Sequence, residues 1–206
     1  MVEMLKKEVA KRPDLVVIAE LIPPQVRVLD LGCGNGTFLR LLEKQKNVRG
    51  LGIEIDQQMI IESISTGISV VQGNLNNNLD FADDGSFDYV VLSRTLQEVS
   101  RPDKLLSEIV RVGKKAIVGF INFGYIGSRF QLLFSGRMPE TISMPHSWYN
   151  TPNIHLATLA DFKNLCRELN IKILREIPIG SKSNTLAAAL MPNLLAHTCV
   201  FELTKK

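Results

Sequence analysis

The apolar run VRVLDL (26–31) ends inside the segment Asp30-Leu31-Gly32-Cys33-Gly34-Asn35-Gly36, and a helical pattern, GTFLRLLEKQ (36–45), starts where that segment stops. No other stretch narrows the fold as far. Glycine lets a backbone turn sharply and approach a ligand without a Cβ clash. The helix behind the loop aims its unpaired N–H groups into it. The spacing does not fit the dinucleotide fingerprint G-x-G-x-x-G, because Thr37 stands where the third glycine is needed. It fits D-x-G-x-G-x-G. A carboxylate ahead of the glycines is a poor neighbour for pyrophosphate and a good one for the cationic end of an amino acid.

The rest of the chain extends this unit. VRGLGIEI (48–55), GISVVQG (67–73), FDYVVLS (87–93) and KAIVGFIN (115–122) read as strands, with helices at QQMIIESIS (57–65) and RPDKLLSEIVRVG (101–113). Pro102 suits a helix start and Gly113 a helix end. Strand–helix repetition with continuous apolar strands predicts a parallel sheet covered on both faces. Right-handed crossovers make it doubly wound, and ligands then bind outside the carboxyl ends of the strands. Residues 3–22 read as one amphipathic helix ended by Pro23 and Pro24. After residue 122 the rhythm breaks: 123–158 is rich in Gly, Pro, Asn and aromatic residues, with YIGSRFQLLFSG (125–136) predicted to hold a short helix. A helix at 158–170, capped by Thr158, a sixth strand at 171–179 and a seventh at 197–205 close the chain. NTLAAALMPNLLA, between the last two strands, has no assigned structure.

Length and charge bound the function. The 206 residues suit one domain. A net charge of +3 is too small for a nucleic-acid surface. There is no apolar run of about 18 residues to span a membrane and no signal-peptide core in MVEMLKKEVAKRPDL, so a cytoplasmic protein is expected. Cys33, Cys166 and Cys199 lie far apart, odd in number and without a CxxC pair; they read as reduced, packed thiols rather than a disulfide framework or metal site.

Glu54 ends the second strand 20 residues past Gly34, where a carboxylate can accept both hydroxyls of a ribose. Asp56 competes for that role but reads better as the N-cap of the helix at 57–65. With D-x-G-x-G-x-G, the glycine loop of adenosylmethionine-binding methyltransferases, residues 26–122 resemble the class I methyltransferases. The resemblance implies a Rossmann-like, doubly wound, mostly parallel seven-stranded sheet with helices on both faces. It also implies S-adenosylmethionine or S-adenosylhomocysteine as ligand, held by Asp30, Gly32, Gly34, Gly36 and Glu54. Asn74, where many members have aspartate, and Leu75 would meet adenine. Ser93 opens the segment Leu92–Glu98, which lies beside the methyl group in that fold. That segment carries neither an Asp-Pro-Pro-Tyr run nor a Pro-Cys nucleophile, and no catalytic residue is assigned. Methyl transfer from a sulfonium can rest mainly on proximity and orientation.

The second half is similar to the MetW family of methionine biosynthesis proteins. The run from Leu92 through Asn122-Phe123-Gly124 carries this likeness, with Trp148-Tyr149-Asn150-Thr151-Pro152-Asn153-Ile154-His155 and DFKNLCRELN. With the glycine loop it covers nearly the whole chain. Arg94 stands where that family's pattern has glutamine, and Asn150 and Asn74 where it has aspartates. The resemblance implies a partnership with homoserine O-acyltransferase, whose full activity requires the MetW-like protein. Residues 123–158 form an insertion, as a lid or a partner-binding segment, since a connection this long is usually functional. Within it Arg129 and Arg137 are candidates for an acidic partner or for solvated charge. Trp148 and Tyr149 are candidates for the ligand mouth, a partner anchor or core. His146 and His155 are possible acid–base groups, with a structural role favoured for His155. The leading expectation is a partner of the acyltransferase that senses adenosylmethionine. A methyltransferase acting on a small molecule comes second, and a nicotinamide dehydrogenase third.

Overall fold

The structure, a computed structural model, describes residues 2–77, 79–141, 143–180 and 185–206. Asn184, at the head of the unassigned apolar segment, lies outside them. Helices α1 (Val2–Ala10) and α2 (Pro13–Leu21) precede β1 (Arg27–Leu31), α3 (Thr37–Lys46), β2 (Arg49–Glu54), α4 (Gln57–Ser65), β3 (Val70–Gln72), β4 (Phe87–Ser93), α5 (Pro102–Val112) and β5 (Gly113–Ile121). Then follow α6 (Ile126–Ser135), α7 (Leu159–Glu168), β6 (Ile171–Ile179), α8 (Thr185–Leu190), α9 (Pro192–Leu195) and β7 (Thr198–Lys205).

Among the described residues the strands form one seven-stranded sheet in the order β3-β2-β1-β4-β5-β7-β6. The pairs from β3 to β5 are parallel. β7 runs against both of its neighbours, so the sheet is mixed. The chain leaves β1 toward β2 and β3, then returns to β4 on β1's other side. That reversal opens a crevice at the carboxyl ends of β1 and β4, the usual ligand position in an open α/β sheet.

Alternation along the strands fills both faces. Leu29 and Leu31 of β1, Val90 and Leu92 of β4, and Val118 and Phe120 of β5 join α5 and α7 in one cluster. Phe120, Phe162 and Phe201 pack there with ring centroids 4.6–5.9 Å apart. Val28, Val91 and Ile117 face the other way, onto Leu5 and Val9 of α1, Ile18 of α2 and Phe38, Leu39, Leu41 and Leu42 of α3.

Local chemistry sets several boundaries. Asp56 caps α4, its carboxylate accepting from Gln58 N and Met59 N. Thr158 caps α7 in a reciprocal box with Asp161. The expected single N-terminal helix is two helices. Pro13 is the reason: it fits the first position of a helix, but its ring clashes with a preceding helical turn. Pro192 starts α9 in the same way, resolving part of the unassigned apolar segment.

Candidate functional site

Two clefts meet at Gly32. The first, of about 250 Å³, runs from the glycine loop to α1 and is lined by Glu8, Arg12, Asp30, Gly34, Asn35 and Ser93, among others. The second, of about 260 Å³, runs toward β3 and includes Glu54, Asn74, Leu75, Thr95, Glu98 and Val99. Seven of the eight residues expected to hold a ligand therefore border one crevice. Gly36 does not. It lies behind the loop, against Ser63 of α4 and Ile68.

The loop needs its glycines for different reasons. Gly32 has φ +75°, and a Cβ there would lie 2.7 Å from Thr95 Oγ1. Gly34 has φ +56° with nothing within 4 Å of a Cβ position, so that space is open for a ligand. Glu54 braces the loop. Its Oε2 accepts from Gly34 N at 2.8 Å, and its Oε1 accepts from Ile55 N at 2.7 Å and Asp56 N at 3.0 Å. A carboxylate has about four acceptor positions, which leaves capacity toward the second cleft.

The electrostatics are acidic. Asp30 is buried, and burial pushes its carboxyl up to about 7, with Glu54 adding to the rise and Arg12 opposing it. Glu98 is raised by burial and by Glu54. A cation entering the crevice would relieve both. Burial pushes the Cys33 thiol up to about 12, with Asp30 and Glu54 adding to the rise.

The far wall of the first cleft is a bonded cluster. Asp14 of α2 is buried. Arg12 Nη2 donates to its Oδ2 at 2.6 Å, Ser93 Oγ donates to the same oxygen at 2.7 Å, and Arg94 Nη2 stands 3.2 Å from Oδ1. Arg12 Nη2 also donates to Ser93 Oγ at 2.9 Å. Burial works to raise the Asp14 carboxyl, but Arg12, Arg94 and Ser93 together hold it below the usual carboxylate range. Ser93 thus fastens β4 to the N-terminal helices while bordering the cleft. Arg12 presents the one guanidinium on that cleft's lining among the described residues, a suitable partner for a carboxylate. Sequence reasoning missed Arg12, and it placed Thr95 and Glu98 only within the segment 92–98, without a role for either. Arg12 stands just before Pro13, a helix-start signal that could have drawn attention to it.

Asn74 shapes its own loop. Its Oδ1 accepts from Asn76 N at 2.9 Å and Asn76 Nδ2 at 3.0 Å. Leu75 lies half-buried against the core and the second cleft.

The segment 94–99 is tied to the end of the 123–158 connection through Gln97, which is buried. Its Oε1 accepts from Ile121 N at 3.0 Å, its Nε2 donates to His155 O at 3.2 Å, and its carbonyl accepts from Ile154 N and His155 N. His155 is exposed, with Nε2 3.4 Å from Ser100 O. His146 lines a separate cavity beneath Met138 and Trp148. Trp148 and Tyr149 are exposed rather than packed in the core. Arg129 is exposed, with its Nε donating to Gly124 O.

The family description "Methionine biosynthesis protein MetW" matches residues 12–203. The bifunctional methionine biosynthesis protein MetXA/MetW of Rhodopirellula baltica is 37% identical over 169 residues, which cover 78% of this chain and 27% of that protein. The mitochondrial ubiquinone biosynthesis O-methyltransferase of Saccharomyces cerevisiae is 31% identical over 88 residues, 40% of this chain and 28% of that one. The chain thus spans little more than a quarter of either relative's length. Among solved structures, a SAM-dependent methyltransferase from Archaeoglobus fulgidus superposes with a TM-score of 0.67 at 16% identity, over 100% of this chain and 95% of that one. The fold is that of the class I methyltransferases.

Proposed function

The chain belongs to the MetW family of methionine biosynthesis proteins, and from that premise we propose that it binds S-adenosylmethionine and regulates homoserine O-acyltransferase as its partner. The observation that carries the ligand half is the paired crevice at Gly32, with one polar end and one nucleoside-sized end. Asp30 and Arg12 border the end suited to an ammonium and a carboxylate. Glu54 stands where ribose hydroxyls would donate, and Leu75 and Val99 offer apolar cover for a base. Burial makes Asp30 costly to ionise without a cation beside it, so a ligand carrying a sulfonium and an ammonium matches the field. In the Rhodopirellula relative, a MetXA part and a MetW part share one chain, which supports the partner half. Adenosylmethionine is made from methionine, so a protein that reports its level to an early step can match flux to supply.

Acyltransferase activity, assayed with and without this protein and with and without adenosylmethionine, tests the reading. The expected result is activity that depends on the protein and changes again with the ligand. Activity indifferent to both would overturn it.

Methyl transfer to a small molecule is the second reading. The likeness to an O-methyltransferase supports it, as does the anchoring of the 123–158 connection beside the crevice through Gln97. Conversion of adenosylmethionine to adenosylhomocysteine in the presence of one member of a metabolite panel would establish it. No turnover across the panel would dismiss it.

A further inference from the structure

The connection between β5 and α7 leaves an unusual amount of aromatic surface in water. Phe134 is 77% exposed, Trp148 73% and Tyr149 76%, with Phe130, Leu133 and Met138 also exposed. Phe130 and Phe134 stack on α6 with ring centroids 5.6 Å apart. Trp148 and Tyr149 meet edge to face at 5.7 Å. The Trp148–Tyr149 pair lines a broad cleft of about 830 Å³ with Gln131 and Ser135 of α6 and with Arg137, Met138 and Glu140, and Phe130 and Phe134 stand on that same helix. The cleft has a fixed wall, because Glu140 N donates to Gln131 Oε1 and Gln131 Nε2 donates to Glu140 O. From 123 to 158 the formal charges are Arg129, Arg137 and Glu140, and Arg129 is held through its Nε by Gly124 O. Exposed apolar and aromatic surface gathered in one connection beyond single scattered residues marks an interaction site. Exposed Trp and Tyr beside a cleft are the residue types that carry interface energy.

We propose that this face, built by α6 and the Trp148–Tyr149 pair, is where the acyltransferase subunit docks; the proposal rests on the reading of function given above. Two observations select that occupant. The fused relative holds a MetXA part in the length that this chain does not span. The face is also continuous with the ligand crevice. Trp148 and Ile154 line one cavity, Ile154 N donates to Gln97 O, and the residues on either side of Gln97 are crevice residues, Thr95 and Glu98 with Val99. A partner seated on the face would bear on the same segment that a nucleoside contacts.

The test is co-elution and affinity measurement between the full chain and the acyltransferase of the same organism, for the wild type and for Phe134→Ser and Trp148→Ser. Each substitution should weaken the complex by about tenfold or more, the scale of an interface anchor. Both residues are exposed and outside the crevice, so thermal unfolding and adenosylmethionine affinity should stay at wild-type values. Unweakened binding by both variants would overturn the docking face while leaving the functional reading intact. So would a wild-type chain that dimerises by light scattering and becomes monomeric in the variants, since the face would then belong to a second copy. Absence of a wild-type complex would overturn the functional reading and the docking face together.

Discussion

The glycine-loop unit and the connection after β5 are held in opposite ways. Around the loop, order comes from buried groups with little freedom to move. Glu54 ties three backbone amides, Asp14 collects two guanidiniums and a hydroxyl, and Leu29, Leu31 and Leu92 are fully buried beneath. In the connection, order comes from scattered polar bonds such as those of Gln97 and Gln131, while Phe130, Phe134, Trp148 and Tyr149 face solvent. The first arrangement suits a small ligand that demands fixed geometry. The second suits a large partner, whose own surface completes the packing.

That contrast yields a graded set of expectations. Truncation of the same side chain in the two regions separates them most. Leu92→Ala, in the sheet, should cost about 2–5 kcal/mol of stability, measured by chemical denaturation. Leu133→Ala on α6, where the side chain is 74% exposed, belongs at the other end of the scale and is taken up last. Gly32→Val should cost about 3 kcal/mol, combining left-handed strain with overpacking against Thr95, and adenosylmethionine binding should vanish in calorimetry. Gly34→Val should cost less, about 1–3 kcal/mol from left-handed strain alone, and still lose the ligand, because the space its side chain fills is the open crevice.

Glu54→Ala should weaken adenosylmethionine binding by about 1.5–3 kcal/mol, the scale of hydrogen bonds to a charged group. Because Glu54 also braces Gly34, some loss of stability should accompany it. Unchanged affinity would remove Glu54 from the ribose site.

Acidity should act on the crevice in a defined direction. The Asp30 carboxyl is raised from the ordinary range to about 7 in the fold. Its contribution to the stability of the ligand-free protein is therefore fully present below the ordinary carboxylate range. It is lost as pH rises through about 7. Asp30→Asn should flatten that decline in melting temperature. Binding of a cationic ligand should tighten across the same window in the wild type, as Asp30 ionises, and not in the variant. The smallest effect belongs to Leu133→Ala, whose stability should stay within about 0.5 kcal/mol of wild type. A larger loss would mean that the connection is packed after all and is no docking face.

What could be read beforehand follows the same divide. The strand runs, the loop, the Asp56 cap and the Thr158 cap all depend on neighbours a few residues away, so local chemistry announces them. Pro13 was equally local, and its power to split the N-terminal helix was legible in principle. The far wall of the first cleft was not. Ser93 meets Asp14 across 79 positions and Arg12 across 81; Pro13 marks a helix start beside Arg12, but nothing local tells which distant strand end Arg12 meets. Asn74 illustrates a different limit. The resemblance implies that Asn74 meets adenine, and in the fold its side-chain carbonyl closes a turn onto Asn76. In the connection, aromatic residues looked equally suited to core and to surface, and only the packing around them decides.

The most direct test is calorimetric titration of the protein with adenosylmethionine, alone and in the presence of homoserine O-acyltransferase. Coupling between two sites is reciprocal, so a regulator must bind its ligand with a different affinity when its partner is seated. The expected result is saturable binding whose affinity shifts when the acyltransferase is added. Binding of the same strength with and without the acyltransferase would contradict the regulatory account and leave an independent methyltransferase in its place.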